Sequence, residues 1–342
     1  MNFRIALAAL MLSALPHAAV ADSPDSTRPA EIARESVNTL LTDLVYNGKD
    51  YFAVGWRGHI LHSPDAQAWH QTEVPVSVLL TAVDFVDAQT GWVVGHDATV
   101  LHTTDGGQHW QVQQFEVGGP ALLDVQFFDA QRGLAVGTYG SMMATADGGQ
   151  SWSVVSNAVT DEGFHLNDLQ ILNDGSLLLV GELGMLARSE DQGASWQRLE
   201  SPYDSSLFSA APRGASGAVI GGLRGNLFVT DEVVSGEWTA IANTSQQSIF
   251  GITELSDGQG HVLAALNGTL QRLSADGELR RLTLDKEAAG IPPAPPAGPP
   301  YVFILSEDVD QEVGAFCRAL PLKDGFLTVG DSGVRFWTDS GS

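Results

Sequence analysis

The sequence predicts an all-β protein folded as a seven-bladed β-propeller. Three observations lead to that prediction. An eight-residue phrase recurs along the chain, as TTDGGQHW at 103–110, TADGGQSW at 145–152 and SEDQGASW at 189–196. The phrase returns about every 42 residues, which is the length of one four-stranded propeller blade. Each repeat also contains alternating apolar and polar residues bounded by glycines, the pattern of short antiparallel strands.

Each unit contains segments for four strands in a fixed order. In the second unit, LTAVDFVD from residue 80 is followed by GWVVGHDA from residue 91. A third strand, TVLHTT from residue 99, runs into the Asp phrase, and a fourth strand starts at the Trp. Weaker copies at Asp65, Asp231, Asp276 and Asp339 keep the phase. Because one repeat cannot bury its own faces, seven repeats over residues 22–342 are expected to stack around an axis.

The seventh unit contains segments for three strands, since Asp339 is followed only by residues up to Ser342. An unpaired sheet edge favours unwanted strand pairing. Residues 22–38 precede the first inner strand, so they are predicted to pair with the last blade as its fourth strand and to close the ring. A Pro-rich insert over residues 286–314 separates units six and seven, and either a solvated linker or an extended arm for a partner fits its composition.

Residues 1–21 are expected to be a signal peptide. Arg4 precedes an apolar segment from Ile5 to Leu15, and the tripeptide at 19–21, AVA, fits a cleavage site. The apolar segment is too short to span a bilayer. The mature protein is therefore predicted to begin at Asp22, to work in the periplasm or outside the cell, and not to span a membrane. Cys317 is the only cysteine, so no intrachain disulfide can form, and a monomer is expected.

Composition narrows the class of partner. The 342 residues include 41 Asp and Glu against 17 Lys and Arg, a formal net charge of -24. Nucleic acids and anionic membranes are bound through basic surfaces, which this balance disfavours. No known spacing of His, Cys and Asp ligands occurs, so neither a metal nor another cofactor is predicted. A protein partner, such as a membrane protein complex, is the expected ligand.

The recurring phrase, S/T-x-D-x-G-x-x-W, is the Asp-box or BNR repeat. Its Ser, Thr and Asp oxygens accept hydrogen bonds from backbone N–H groups of the turn, and its Gly supplies a positive φ. Its Trp covers apolar area between neighbouring sheets. The phrase is therefore interpreted as a structural turn between the third and fourth strands, opposite the binding mouth. The residues assigned this structural role are Asp65, Asp105, Trp110, Asp147, Trp152, Asp191 and Trp196.

The turns between second and third strands share the other face, here called the mouth face. Their tips differ from unit to unit, although one Asn-Gly turn would suit every blade, so they are predicted to bind a partner. The candidate partner-binding residues are Trp56, Arg57, His96, Asp97, Tyr139, Glu182 and Arg224. Polar tips without any binding role remain the alternative. The acids Asp43, Asp124, Asp168 and Asp331 are expected near this mouth, and their charge would suit a cation or a basic partner.

Two units carry a resemblance to a known family. The segments AVDFVDAQTGWVVGHDATVLHTTDGGQHW and VQFFDAQRGLAVGTYGSMMATADGGQSW resemble the repeat of the photosystem II stability/assembly factor family, and the likeness spans nearly all of residues 38–340. The resemblance implies an exported, non-enzymatic, seven-bladed propeller that helps to assemble a membrane protein complex. Photosynthetic members are expected to hold early reaction-centre intermediates through arginines, and the tip arginines here are Arg57 and Arg224.

Asp-boxes also occur in glycoside hydrolases, so a sialidase-like enzyme or a glycan-binding propeller is the alternative. A sialidase needs three arginines for the substrate carboxylate, a Tyr nucleophile paired with a Glu, and an acidic Asp. Arg57, Arg224, Tyr139, Glu182 and Asp97 could supply most of that set. A third tip arginine is missing, and seven units exceed the six blades of sialidases. Both observations favour the non-enzymatic prediction.

Overall fold

The computed structural model describes residues 28–282, 284 and 314–338, and these residues form seven antiparallel sheets. Blades one to four contain β1 (Leu41–Tyr46), β2 (Tyr51–Gly55), β3 (Ile60–Ser63), β4 (His70–Gln71), β5 (Leu80–Phe85), β6 (Gly91–Gly95), β7 (Thr99–Thr103), β8 (Gln111–Gln114), β9 (Leu122–Phe127), β10 (Gly133–Gly137), β11 (Met142–Thr145), β12 (Ser153–Val154), β13 (Leu166–Ile171), β14 (Leu177–Gly181), β15 (Leu186–Ser189) and β16 (Gln197–Arg198). Blades five to seven contain β17 (Leu207–Arg213), β18 (Gly217–Gly222), β19 (Leu227–Thr230), β20 (Thr239–Ala240), β21 (Ile249–Glu254), β22 (Gly260–Ala265), β23 (Thr269–Ser274), β24 (Leu279–Arg281), β25 (Phe316–Leu322), β26 (Gly325–Gly330) and β27 (Arg335–Trp337).

The helices of the described residues are single turns of 3-10 type. They lie at Ser36–Asn38, Trp56–Gly58, Thr138–Gly140, Thr160–Glu162, Glu182–Gly184, Leu223–Gly225 and Val233–Ser235. No helix in this part of the chain is long and apolar enough to cross a membrane.

The first strand of every blade is the inner strand of the ring. Inner strands of consecutive blades contact each other all the way round, and β25 of blade seven packs against β1 of blade one. The predicted seven-bladed all-β propeller is thereby confirmed. The expected signal peptide, Asp339 and all of the Pro-rich insert except Gly314 lie outside the described residues.

Apolar side chains fill the spaces between neighbouring blades. Phe52 of blade one packs with Leu80, Val93 and Trp110 of blade two in one buried cluster. In the next interface the Trp92 and Phe127 rings are parallel, with centroids 3.4 Å apart. The alternating apolar residues of the repeats therefore form the packed interfaces between blades, as the period-2 pattern indicated.

All seven inner strands carry a register shift between their first and third residues. A β-bulge at this place re-aims the following side chain. The third residues of the seven inner strands are Asp43, Ala82, Asp124, Asp168, Ser209, Gly251 and Arg318. Most of them line a narrow cavity on the ring axis, so they are called the channel layer below.

The described part of the expected closing segment, residues 28–38, does not supply the predicted fourth strand of blade seven, and residues 22–27 lie outside the described residues. Within the described residues, blade seven has three strands. The N-terminal segment does reach blade seven, because Val334 N–H donates to Val37 O (2.9 Å). Its earlier part lies beside blade one, where Ala30 N–H donates to Val74 O (2.8 Å). A single 3-10 turn at Ser36–Asn38 contains Val37 and precedes β1.

Candidate functional site

The two ends of the blades differ in construction. At the mouth face, the tip between second and third strands packs on the residue that precedes the inner strand. In blade one, Trp56 N–H donates to Leu40 O (2.9 Å), and in blade four Glu182 N–H donates to His165 O (2.9 Å). The Asp-box turns join third and fourth strands and therefore lie at the opposite ends of the blades. The mouth face thus collects seven tips, one from each blade.

The Asp-box turns are internally satisfied. Asp105 Oδ1 accepts hydrogen bonds from the Thr103 hydroxyl (2.9 Å) and from His109 N–H (3.0 Å). Gly107 N–H donates to Thr103 Oγ1 (2.9 Å), and its φ of 77° favours glycine. Burial opposes a low pKa at Asp105, but the bonds from His109 and Thr103 outweigh it and lower the pKa to about 2. The carboxylate is thus held ionised by its own turn.

The same hydrogen-bond pattern recurs at Asp65, Asp147 and Asp191. The box tryptophans pack in the apolar clusters between neighbouring blades, where Trp110 and Trp152 also meet phenylalanine rings edge-on. Because the box carboxylates are hydrogen-bonded within their own turns and the indoles are packed between blades, they offer a ligand little.

Six of the seven tips of the mouth face have a left-handed backbone. The central residues of these six tips have positive φ values between 50° and 58°, and several of them are bulky: Arg57, Tyr139, Leu183 and Arg224. Residues other than Gly, Asn and Asp rarely adopt this left-handed conformation, which costs about 1 kcal/mol or more. The strain turns each of these side chains outward into solvent: Tyr139 is 76% exposed and Leu183 is 60% exposed.

The predicted partner-binding residues fall into two groups. Trp56, Arg57, His96, Tyr139 and Arg224 are exposed. Trp56 and Arg57 lie side by side, with the guanidinium 5.9 Å from the centroid of the indole ring. His96 and Arg224 lie on the separate tips of blades two and five. These five side chains are free to meet a partner.

The acidic members are used within the chain. Asp97 Oδ1 accepts a hydrogen bond from Gly118 N–H (3.0 Å), which holds the connection between blades two and three. Glu182 Oε2 accepts one from His165 N–H (2.9 Å). Asp331 Oδ2 does the same for Ala315 N–H (2.9 Å). The carboxylates expected to make the mouth negative therefore accept hydrogen bonds from backbone amides of this chain.

His165 joins the site, although sequence reasoning missed it. Its ring meets Tyr139 edge-on, with centroids 5.1 Å apart and planes at 88°, and its Nδ1 lies 3.7 Å from Glu182 Oε1. The structure thereby connects Tyr139 to Glu182 through His165. Aligning the seven repeats would have singled out His165, because the residue before the inner strand is apolar or Ser in the other six blades.

The channel layer is the second polar cluster. Asp43, Asp124 and Asp168 come together as expected, but Arg318, which sequence reasoning missed, lies among them and donates from Nε to Asp43 Oδ1 (2.9 Å). Burial lowers the pKa of Arg318, yet Asp43 and Asp168 outweigh it and hold that pKa above its ordinary value. Burial and the charge of Asp168 raise the pKa of Asp124 well above its ordinary value.

The acids of the channel layer also tie neighbouring blades together. Asp43 Oδ2 accepts from Val83 N–H (2.9 Å), and Asp168 Oδ2 from Ala210 N–H (2.7 Å). A cavity of about 90 Å³ opens on the mouth side and another of about 320 Å³ on the far side. No group of three or more metal-ligating side chains occurs among the described residues. The cluster therefore works as an inter-blade fastening.

The direct Tyr–Glu pair that a sialidase-like site would need is not formed among the described residues. Within the described part of the chain, the Tyr139 ring leans on His165, and its hydroxyl makes no hydrogen bond to Glu182. Asp97 and Arg57 lie on different blades. The fold and the mouth face define an Asp-box β-propeller whose exposed side chains converge on one face.

The chain belongs to the family described as Photosynthesis system II assembly factor YCF48, whose model matches residues 61–121 and 117–267. A curated relative, the photosystem II assembly protein Ycf48 of Synechococcus sp. (strain JA-2-3B'a(2-13)), is 44% identical over 48 residues. That stretch covers 14% of this chain and 14% of the relative. The family model describes an assembly factor.

Two solved structures share the whole fold. The structure described as YCF48 bound to D1 peptide aligns with a TM-score of 0.67 at 16% identity, covering 92% of this chain and 98% of that one. YCF48 from Cyanidioschyzon merolae aligns with a TM-score of 0.64 at 15% identity, covering 91% and 98%. At these identities the likeness establishes the seven-bladed fold.

Proposed function

We propose that this protein is a non-enzymatic assembly factor that binds a peptide segment of a membrane protein complex through its mouth face. It works after export, in the periplasm or an equivalent compartment. Membership of the assembly-factor family supports the proposal. So does the related YCF48 structure with a bound D1 peptide. A subunit of photosystem II or of a similar membrane complex is the partner class that these relatives favour.

The strained tips carry the proposal. A turn that needs a left-handed residue is least costly with Gly or Asn, as at Asn267 of blade six. Four other tips place Arg, Tyr, Leu and Arg in that conformation. Backbone strain that a scaffold does not need is typical of residues kept for their side chains. The side chains projected by these turns are therefore the part of the mouth face most suited to binding.

The chemistry of the exposed set fits a peptide. Tyr, Trp and Arg dominate the energetics of protein interfaces because they combine large contact area with directional polar groups. Trp56 is 44% exposed with Arg57 beside it, and Tyr139 is held upright by His165. Arg57 and Arg224 bring positive charge to the mouth face of this acidic chain. A peptide with apolar side chains and a carboxylate would satisfy both kinds of contact.

The proposal is tested by capture of membrane proteins on the immobilised protein. Detergent-solubilised host membranes are passed over the wild type and over Arg57→Glu combined with Arg224→Glu. Integral membrane subunits retained by the wild type should be lost by the double variant. Lys49→Glu, in the turn between β1 and β2 at the opposite face, makes the same kind of charge reversal at one position and should retain them. A synthetic D1 peptide, measured by calorimetry, tests the photosystem partner directly.

Capture that the mouth-face double variant retains in full would refute the proposed site. If no membrane subunit is captured by the wild type, and the D1 peptide does not bind, the proposed function is wrong. If the D1 peptide fails but another membrane subunit depends on Arg57 and Arg224, the partner is a different complex. In that case the assembly role at the mouth face stands.

A further inference from the structure

Residues 28–40 run along the mouth face as a strap with three anchor points. The first anchor is the outer part of blade one, where Ala33 N–H donates to Gln71 Oε1 (2.9 Å) and Gln71 Nε2 donates to Glu31 O (2.9 Å). The second is blade seven, where Arg335 donates from its guanidinium to Asn38 Oδ1 (3.1 Å). This N-terminal strap therefore bridges the joint between the first and last blades.

The third anchor is the tip of blade one itself. Leu40 O accepts the Trp56 N–H (2.9 Å), and the Thr39 hydroxyl lies 2.9 Å from His59 Nδ1. The same hydroxyl donates its one hydrogen to Ser36 O (2.8 Å), so the His59 ring must donate to Thr39. Burial and then the charge of Arg57 lower the pKa of His59, which keeps the ring neutral.

The strap also packs tightly under the tip. A side chain at Gly58 would meet Ala30 Cβ at 3.2 Å and Val76 O at 2.1 Å, and Gly58 itself has a φ of 75°. His59, two residues after the strained Arg57, is buried. The turn that carries Trp56 and Arg57 is therefore enclosed on its inner side by the strap and by the connection to blade two.

We infer that the N-terminal strap positions the Trp56–Arg57 tip for partner binding, with Thr39 and His59 as the positioning residues. This inference rests on the proposed function for its binding consequence, while its structural part stands without a partner. A turn with a left-handed Arg needs an external support to hold one conformation. The strap supplies that support with two polar contacts and a close-packed surface. It also links blades seven and one through Val37 and Asn38.

The test follows Trp56 by 19F NMR in the full chain labelled with 5-fluorotryptophan. The chain has 8 tryptophans, and Trp56→Phe assigns the resonance of interest. Thr39→Val removes the hydroxyl and keeps the volume, so it should move the Trp56 resonance. Loss of the two half-buried hydrogen bonds of this hydroxyl should weaken partner binding by about five-fold or more. Thr39→Ser should restore both the resonance and the affinity.

The matched control is Thr99→Val. Thr99 occupies the position of His59 on the tip of blade two, where its hydroxyl donates to His96 O (2.6 Å). It should leave the Trp56 resonance in place. If Thr39→Val unfolds the protein, Asn38→Ala loosens the blade-seven anchor instead and should move the same resonance by a smaller amount.

Two outcomes separate the inference from the proposed function. A Trp56 resonance that stays unchanged in Thr39→Val and in Asn38→Ala overturns the strap as a positioning element. A shifted resonance, combined with Trp56→Ala and Arg57→Ala variants that bind as the wild type does, overturns the role of this tip in binding. The strap would then position a turn that the partner does not use.

Discussion

Replacing Asp43 by Asn tests the fastening between the first and last blades. Asp43 is 5% exposed and holds Arg318 of blade seven on one oxygen and Val83 N–H of blade two on the other, each at 2.9 Å. An Asn side chain keeps the size and an oxygen for Val83, but it loses the charge opposite Arg318. The substitution therefore isolates the ion pair from the inter-blade hydrogen bond.

The expected cost follows from burial. Removing one partner of a fully buried ion pair costs about 3–5 kcal/mol. The Arg318 side chain is 22% exposed to the channel, and Asp124 and Asp168 remain close to it, so part of that cost is offset. We expect the free energy of unfolding to fall by about 2–3 kcal/mol. With an unfolding entropy of about 0.6 kcal/mol/K for a domain on the order of 280 residues, Tm should fall by about 4 °C.

Differential scanning calorimetry at neutral pH measures this change, and Asp161→Asn, an exposed carboxylate, is the control. A double-mutant cycle with Arg318→Met separates the pair from its surroundings. Removing both charges should cost less than the sum of the single variants, because the second change removes the uncompensated guanidinium. Additive losses, or a Tm for Asp43→Asn within 1 °C of the wild type, would show that the ion pair does not fasten the ring.

Three further predictions concern the channel, the Asp-box and the core. Burial raises the pKa of Asp84 to about 6, so the stability from this group is present below about pH 4 and lost as pH rises through 6. The Tm of Asp84→Asn, compared with the wild type, should therefore gain more at pH 7.5 than at pH 4. An equal gain at both pH values would contradict the raised pKa of Asp84. Asp105→Ala should lower the free energy of unfolding by about 1 kcal/mol, because the hydrogen bonds of its turn are lost. This deficit should shrink as pH falls from about 4 towards 2, because the pKa of Asp105 is lowered to about 2. Chemical denaturation at several pH values checks the trend. Trp92→Ala leaves a cavity against the stacked Phe127 ring and loses the indole hydrogen bond to Gly148 O (3.2 Å). The free energy of unfolding should therefore fall by about 4 kcal/mol. A loss below about 2 kcal/mol would mean that the interface collapses into the cavity.

The repeat made the scaffold predictable, because each of its signals is local. An Asp-box turn is closed by residues within a few positions, such as Thr103, Asp105 and His109, so its hydrogen bonds can be derived from the phrase alone. The alternation of apolar residues likewise places one face of each strand in the core. The number of blades, the Asp-box turns and the position of the mouth-face tips therefore came from the sequence.

The ring decided what the repeat could not. Asp43 and Arg318 are separated by 275 positions and meet only because seven blades bring β25 back to β1. The carboxylates of Asp97 and Glu182 read as free tip charges in the sequence, yet they bind backbone amides of neighbouring connections. The N-terminal segment crosses the mouth face, and no local pattern indicated that path.

Local hydrogen bonds and alternating burial determined the modules of this protein from the sequence alone. Only the closed tertiary structure decided how the ring is joined, which carboxylates bond to backbone amides or to Arg318, and which side chains of the mouth face stay exposed. The physical reason is that a side chain's partner in these cases comes from a distant blade. The energy of that contact depends on the curvature of the ring, which no single repeat encodes.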